Sequence, residues 1–294
     1  MDKKKLQKIY TQYSTYTDPG LYGTKLKKTL PKDPQEIGAL IRTAFVHRYH
    51  LESSRKGSPV APHYGDMTRI PWYRQPEDDI YITAVALLAE LYRRDKKGFH
   101  TKRKEEDKLI LTCRYVAVLT ASLFKIMGIP ARVRSGFAGY YFKGRSVDHW
   151  TVEYWHKEQS RWAMADIDAT LEEHLHFDPY DVPLGTFDYA ANAWLEVRSG
   201  KAAPEYFWNA AGHEGLEVIS WELFYDFHCI MNNEIIYVHV PEFIYGKFDQ
   251  LTEDDLKEID DLARLMQKPD ENYEKLQKLW EEEQKYRLLK GGLL

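Results

Sequence analysis

Residues 109 to 133 read LILTCRYVAVLTASLFKIMGIPARV, and after them the hydrophobic period changes. Val116, Leu119, Leu123 and Met127 recur as the apolar stripe of a helix. Thr112 stands at the N-cap position, and Gly128 with Pro130 ends the run. The segments ARVRSGFAGYYF, DHWTVEYW and RWAMADIDA then read as short β runs, divided by KGRS and HKEQS. A long apolar helix followed at once by an antiparallel meander is the strongest constraint in this chain.

That helix places Cys113, one of two cysteines among 294 residues, in its first turn. Unpaired amides at a helix N-terminus favour thiolate over thiol. The plain alternative is a small buried hydrophobe. In the second β run, Trp150, Val152 and Tyr154 alternate with His149, Thr151 and Glu153, which predicts that the imidazole lies on the polar face, away from the core. The third run sets Trp162, Met164, Asp166 and Asp168 on one face. A carboxylate there can hold a histidine in one tautomer, so Cys, His and Asp compose a nucleophile relay. Alternation leaves Asp166 and Asp168 both open as its acid.

The bulk numbers exclude several function classes. A hydrophobic content of 44% and a charged content of 29% are globular values. A formal net charge of −4 argues against nucleic acid as a partner. The basic N-terminus has no apolar run behind it, and no window is long enough to cross a membrane. Two cysteines suit a reducing compartment, and cytoplasm is the expected location.

Elsewhere the chain reads as helices and loops. Residues 1 to about 35 are polar and tyrosine-rich, an arm or leader. Asp33 and Pro34 open a helix carrying Ile37, Leu40, Ile41, Ala44 and Phe45. A second helix is expected across DDIYITAVALLAELYRRDKK, followed by a solvated loop through DKKGFHTKRKEEDK. Residues 171 to 250 are mixed, and the tail from 251 is a helical hairpin opened by a Thr252–Asp255 capping box.

The helix with Cys113, the Gly128-Ile129-Pro130-Ala131-Arg132 exit, His149-Trp150, and Trp162 with Asp166 four places on together resemble the transglutaminase-like superfamily. Cys113 and His149 are 36 residues apart, and His149 and Asp166 are 17 apart, spacings that suit the family. The resemblance implies an α+β, papain-like core with a nucleophile helix on an antiparallel sheet and added N- and C-terminal helices. It selects Asp166 as the acid, with Asp168 the alternative. Its core covers about residues 70 to 180, with weaker likeness beyond, as in stand-alone bacterial members whose substrates are not assigned. The expected organisation is an N-terminal arm and helix packed on the core at 1–65, a catalytic core at 66–180, a mixed extension at 181–250 and the hairpin at 251–294. One departure stands out: many members carry a glycine shortly before the nucleophile, where this chain reads LILTC.

The implied reaction is acyl transfer or hydrolysis at a carboxamide or peptide bond through a thioester, on a protein or peptide substrate, without cofactor or metal. Trp72 and Gln75 are the candidates for the second oxyanion donor. The alternative is a scaffold of the same fold without activity. Among other polar residues, His47 with His50 and His174 with His176 could pair on a face as a metal or substrate site, although surface pairs are the plainer reading. Cys229 has no base and acid after it and is expected in the core. Asp148 is expected to act on the site electrostatically from the opposite side of its strand.

Overall fold

The computed structural model describes residues 1–48, 70–74, 76–171 and 175–291. Its helices are α1 (Lys3–Thr11), α2 (Gly23–Thr29), α3 (Pro34–Ala44), α4 (Glu77–Ile80), α5 (Ala84–Arg94), α6 (Cys113–Ile126), α7 (Ala190–Arg198), α8 (Leu216–Ile230), α9 (Glu253–Met266) and α10 (Pro269–Glu282). Its strands are β1 (Phe45–His47), β2 (Leu109–Leu111), β3 (Ala131–Phe142), β4 (Arg145–His156), β5 (Arg161–Ala165), β6 (Phe187–Tyr189), β7 (Phe207–Trp208), β8 (His239–Pro241) and β9 (Leu289–Gly291). The fold is α+β, with the meander of β3, β4 and β5 where the period change put it.

Two compact units divide the chain discontinuously. Residues 11–131 and 151–182 form one, which holds Cys113 and is called the cysteine unit here. Residues 1–10, 132–150 and 183–294 form the other, the histidine unit. Strand β4 passes from the second to the first between Trp150 and Thr151.

In the cysteine unit, α6 packs against α2, α3, α5 and β2. Every residue of α6 is buried, so the single apolar stripe expected from the sequence is replaced by a helix enclosed all round. Its C-terminus is a Schellman motif. Ile129 N donates to Phe124 O at 2.9 Å, Gly128 N donates to Lys125 O at 3.0 Å, and Gly128 takes φ +76°. Strands β1 and β2 pair in parallel, His47 abreast of Leu111. The far half of β4 pairs antiparallel with β5, from Val152↔Ala165 to His156↔Arg161.

The polar leader is not a plain arm, because it folds into α1 and α2 with Leu6, Tyr10, Leu26 and Leu30 buried. Helix α3 begins as expected, with Asp33 Oδ2 accepting from Glu36 N at 3.0 Å and proline in the first turn. The second expected helix is two. Its acidic start is the short α4, and α5 starts afresh at Ala84 because Thr83 is extended and its hydroxyl accepts from Ala86 N. The loop after α5 is less solvated than its charge suggests. Arg103 is buried there and donates to the carbonyls of Leu91, Gly98 and Asp107.

In the histidine unit, β3 lies between β4 and β6, and β7 pairs in parallel with β4. Helix α8 packs on α7, β7 and β8, and α9 on α7 and α10. The capping box is formed: Asp255 N donates to Thr252 Oγ1 at 3.2 Å and Thr252 N to Asp255 Oδ2 at 2.8 Å. Tyr273 and Leu276 of α10 are buried, and Trp280 meets Phe227 and His228.

Candidate active site

Cys113 opens α6 directly from β2, with only Thr112 between strand and helix. Thr112 has φ −103° and ψ 171°, extended backbone that any residue adopts. The missing glycine of LILTC is thereby explained, since this turn requires no left-handed residue. Thr112 does not cap the helix with its side chain, contrary to expectation. Its Oγ1 is buried without a hydrogen-bond partner among the described residues. The Thr112 side chain therefore takes none of the first-turn N–H groups of α6, the positive end of the helix that lies beside the sulfur. Cys113 is 7% exposed, whereas Cys229, inside α8, is fully buried. Neither is in a disulfide.

The arrival of β2 at this turn is pinned by charge. Ile110 N donates to Glu77 Oε2 at 3.0 Å. Glu77 is paired with Arg74 and Arg94, and both guanidiniums also donate to Lys108 O. Burial pushes the Glu77 carboxyl up, and the Arg74 contact draws it partly back. None of these residues stood out in the sequence. The signal available was the density of acids and arginines in RQPEDD and ELYRR.

Asp166 lies one residue past β5, not within it, so the shared strand face that equated it with Asp168 ends at Ala165. The chain turns there. Asp166 Oδ1 accepts from Asp168 N at 3.1 Å and from Ala169 N at 3.2 Å, and Asp166 N donates to Pro179 O at 2.7 Å. Asp168, at the start of a short 3₁₀ turn, faces His47, with Nε2 to Oδ2 at 3.4 Å. The two acids thus have different surroundings.

His149 is in the histidine unit, on β4. It is 4% exposed, and Thr151 and Glu153 are also buried, so the polar face of β4 is covered rather than open. The reason is aromatic cover: the His149 ring meets those of Tyr141 at 5.1 Å, Tyr140 at 6.4 Å and Phe187 at 6.5 Å. Trp150 packs on Tyr225 and Tyr237.

Half-buried Asp148 borders a buried acidic pair, Glu222 and Asp226, that sequence reasoning missed. Desolvation pushes its carboxyl up to about 6, against the Ala210 N–H it accepts and the neighbouring His149. Glu222 of α8 is raised well above the carboxylate range by burial first and by Asp148 second. Ser135 Oγ donates to Glu222, while Arg134 makes a two-pronged bond to Asp226, both prongs at 2.8 Å. The readable signals were two arginines in the apolar ARVRSG run and two acids four apart in the apolar helix SWELFYDF.

Cys113 and Asp166 therefore belong to the cysteine unit and His149 to the histidine unit, on the strand that runs through both. Trp72 lies in a 3₁₀ turn at Trp72–Arg74, and Gln75 is outside the described residues. His176 is exposed, and its expected partner His174 is outside the described residues, as is His50. Among the described residues, no three His, Cys, Asp or Glu gather as a metal site, and no helix is long and apolar enough to cross a membrane.

Residues 95–167 match the family model of the transglutaminase-like superfamily. This segment is similar to a transglutaminase-like core. It runs from the loop before β2 to the turn after β5 and contains Cys113, His149 and Asp166. No curated protein and no solved structure matches the chain.

Proposed function

We propose that this chain is a cysteine enzyme of the transglutaminase-like superfamily that transfers or hydrolyses acyl groups at a carboxamide or peptide bond of a protein or peptide. The supporting observation is that one matched segment, 95–167, holds a cysteine at a helix N-terminus together with His149 and Asp166. In this reading the Cys113 thiolate attacks the carbonyl carbon. The negative charge that develops on oxygen is met by the Cys113 N–H and a second donor, for which Trp72 and Gln75 are the candidates. His149, having held the thiol proton, gives it to the departing ammonia or amine and leaves a thioester. Water or an amine then attacks the thioester and yields its proton to His149, which restores the thiolate. Asp166 orients the ring and stabilises the imidazolium. No cofactor enters this scheme, and the free cysteines suit the cytoplasm.

One observation favours an inactive scaffold instead: Cys113, His149 and Asp166 are all at most 7% exposed. Incubation with a panel of glutamine-containing peptides separates the readings. The enzyme reading expects ammonia release, amine incorporation or new amino termini, and loss of all of them in Cys113→Ala with the fold retained. Turnover by Cys113→Ala would overturn it.

A further inference from the structure

The cysteine unit brings a histidine and an aspartate outside the proposed relay, His47 and Asp168, against each other. Strands β1 and β2 run parallel and end together, one delivering His47 and Arg48, the other Thr112 and Cys113. Phe45, Val46, Leu109, Ile110 and Leu111 are almost fully buried and apolar, so His47 is the one polar residue of the two strands. Its side chain is 20% exposed, and it meets Asp168, 10% exposed. Arg48, next along, is held by Asp78 and Asp79. Arg48 follows His47, and Thr112 and Cys113 follow its register partner Leu111, so the end of β1 lies beside the start of α6.

The other partner of the pair is tied to the proposed acid. The backbone N–H of Asp168, like that of Ala169, donates to Asp166 Oδ1. His47 is thus linked by strand register to the segment entering Cys113, and Asp168 by its amide to Asp166. We propose that His47 and Asp168 form a positioning pair that fixes the Asp166 turn relative to the strand that delivers the nucleophile. The inference rests on the reading of Cys113 as a thiolate nucleophile served by His149 and Asp166.

The pair works at one remove from the reacting atoms. It acts by keeping Asp166 aimed, and through Asp166 the imidazolium that holds Cys113 as thiolate. A small displacement of an orienting group is costly when its partner must stay aligned. A merely structural contact would change stability and leave thiol chemistry alone.

The test is the pH profile of iodoacetamide labelling at Cys113 in the full chain, read by mass spectrometry, with a melting curve for each variant. His47→Leu and Asp168→Ala are each expected to slow labelling by about tenfold on the acid side of the wild-type midpoint, as the profile moves one unit toward an ordinary thiol. The double variant should be no slower than either single one, the mark of one shared interaction. His47→Gln, which keeps a donor for Asp168, should stay within about twofold of wild type. A folded His47→Leu or Asp168→Ala with the wild-type profile would overturn the proposal, as would falls that multiply in the double variant; if His47→Leu fails to fold, the Asp168→Ala profile decides alone. Loss of fast labelling in His149→Ala but not in the pair's variants would sink this inference and leave the proposed function standing. A wild-type Cys113 that reacts as an ordinary thiol would sink both.

Discussion

Glu77 and Glu222 are both buried carboxyl groups, yet they are held in opposite ways. Glu77, in the cysteine unit, has two arginines and a backbone N–H upon it. Glu222, in the histidine unit, has a serine hydroxyl and the repulsion of Asp148 and Asp226, while the nearby Arg134 is committed to Asp226. The first is paired with cations and fixes backbone; the second is pushed well above its ordinary carboxylate value by burial and by Asp148. Burial raises both carboxyls, and the difference lies in which neighbour comes next: Arg74 pulls one down, Asp148 pushes the other up.

The largest expected effect comes from breaking the paired side. Glu77→Ala leaves Arg74 without its carboxylate and strands the Ile110 N–H, while Arg94 keeps the Glu90 carboxylate, and should cost about 3–5 kcal/mol in urea unfolding. A cost below about 1 kcal/mol, the level of an exposed pair, would put Glu77 among surface charges.

Next in size is the acid sensitivity of the histidine unit. His228 donates from Nε2 to Tyr286 O and receives Asn233 Nδ2 at Nδ1, and burial lowers its pKa to about 4. The unfolded chain binds its proton near 6.5, so the folded form binds it less readily. Stability from this group is full above pH 6.5 and is lost as pH falls toward 4, about 3 kcal/mol in all. His228→Gln should flatten that slope in unfolding curves taken across the window. Asp148, raised to about 6, has the opposite sign: it favours the fold at low pH, and that favour fades as pH rises through 6.

Smaller still is Glu222→Gln. Burial and Asp148 both favour the protonated form of Glu222, so the neutral amide should change stability at pH 7 by less than about 1 kcal/mol, in contrast to Glu77→Ala. A loss as large as that of Glu77→Ala would show Glu222 to be a working carboxylate and remove the contrast. Thr252→Ala, which deletes the α9 cap far from either carboxylate in sequence, should cost about 1 kcal/mol and leave Cys113 labelling unchanged.

What the sequence made legible follows the range of the forces involved. Local chemistry read well: the Asp33 cap with Pro34, the Gly128 stop, the meander and the Thr252–Asp255 box each depend on neighbours within a few residues. The matched family segment spans Cys113, His149 and Asp166, which helix position, strand alternation and the family resemblance singled out. Reading failed where a partner distant in sequence decides. Alternation put His149 on an open polar face, because nothing local announces that Tyr140, Tyr141 and Phe187 close over it. Asp168 looked equivalent to Asp166 until β5 ended early and His47, more than a hundred residues back, met it. Neither unit is a contiguous stretch, which no composition shift along the chain could mark.

The proposed chemistry requires Cys113 to be an activated thiolate served by His149. Labelling with iodoacetamide across pH, with the fully buried Cys229 as internal reference, measures that directly. Fast labelling of Cys113 that persists well below the ordinary thiol midpoint of about 8.5, and vanishes in His149→Ala, is the predicted result. An ordinary thiol profile, or one that His149→Ala leaves unmoved, would contradict it.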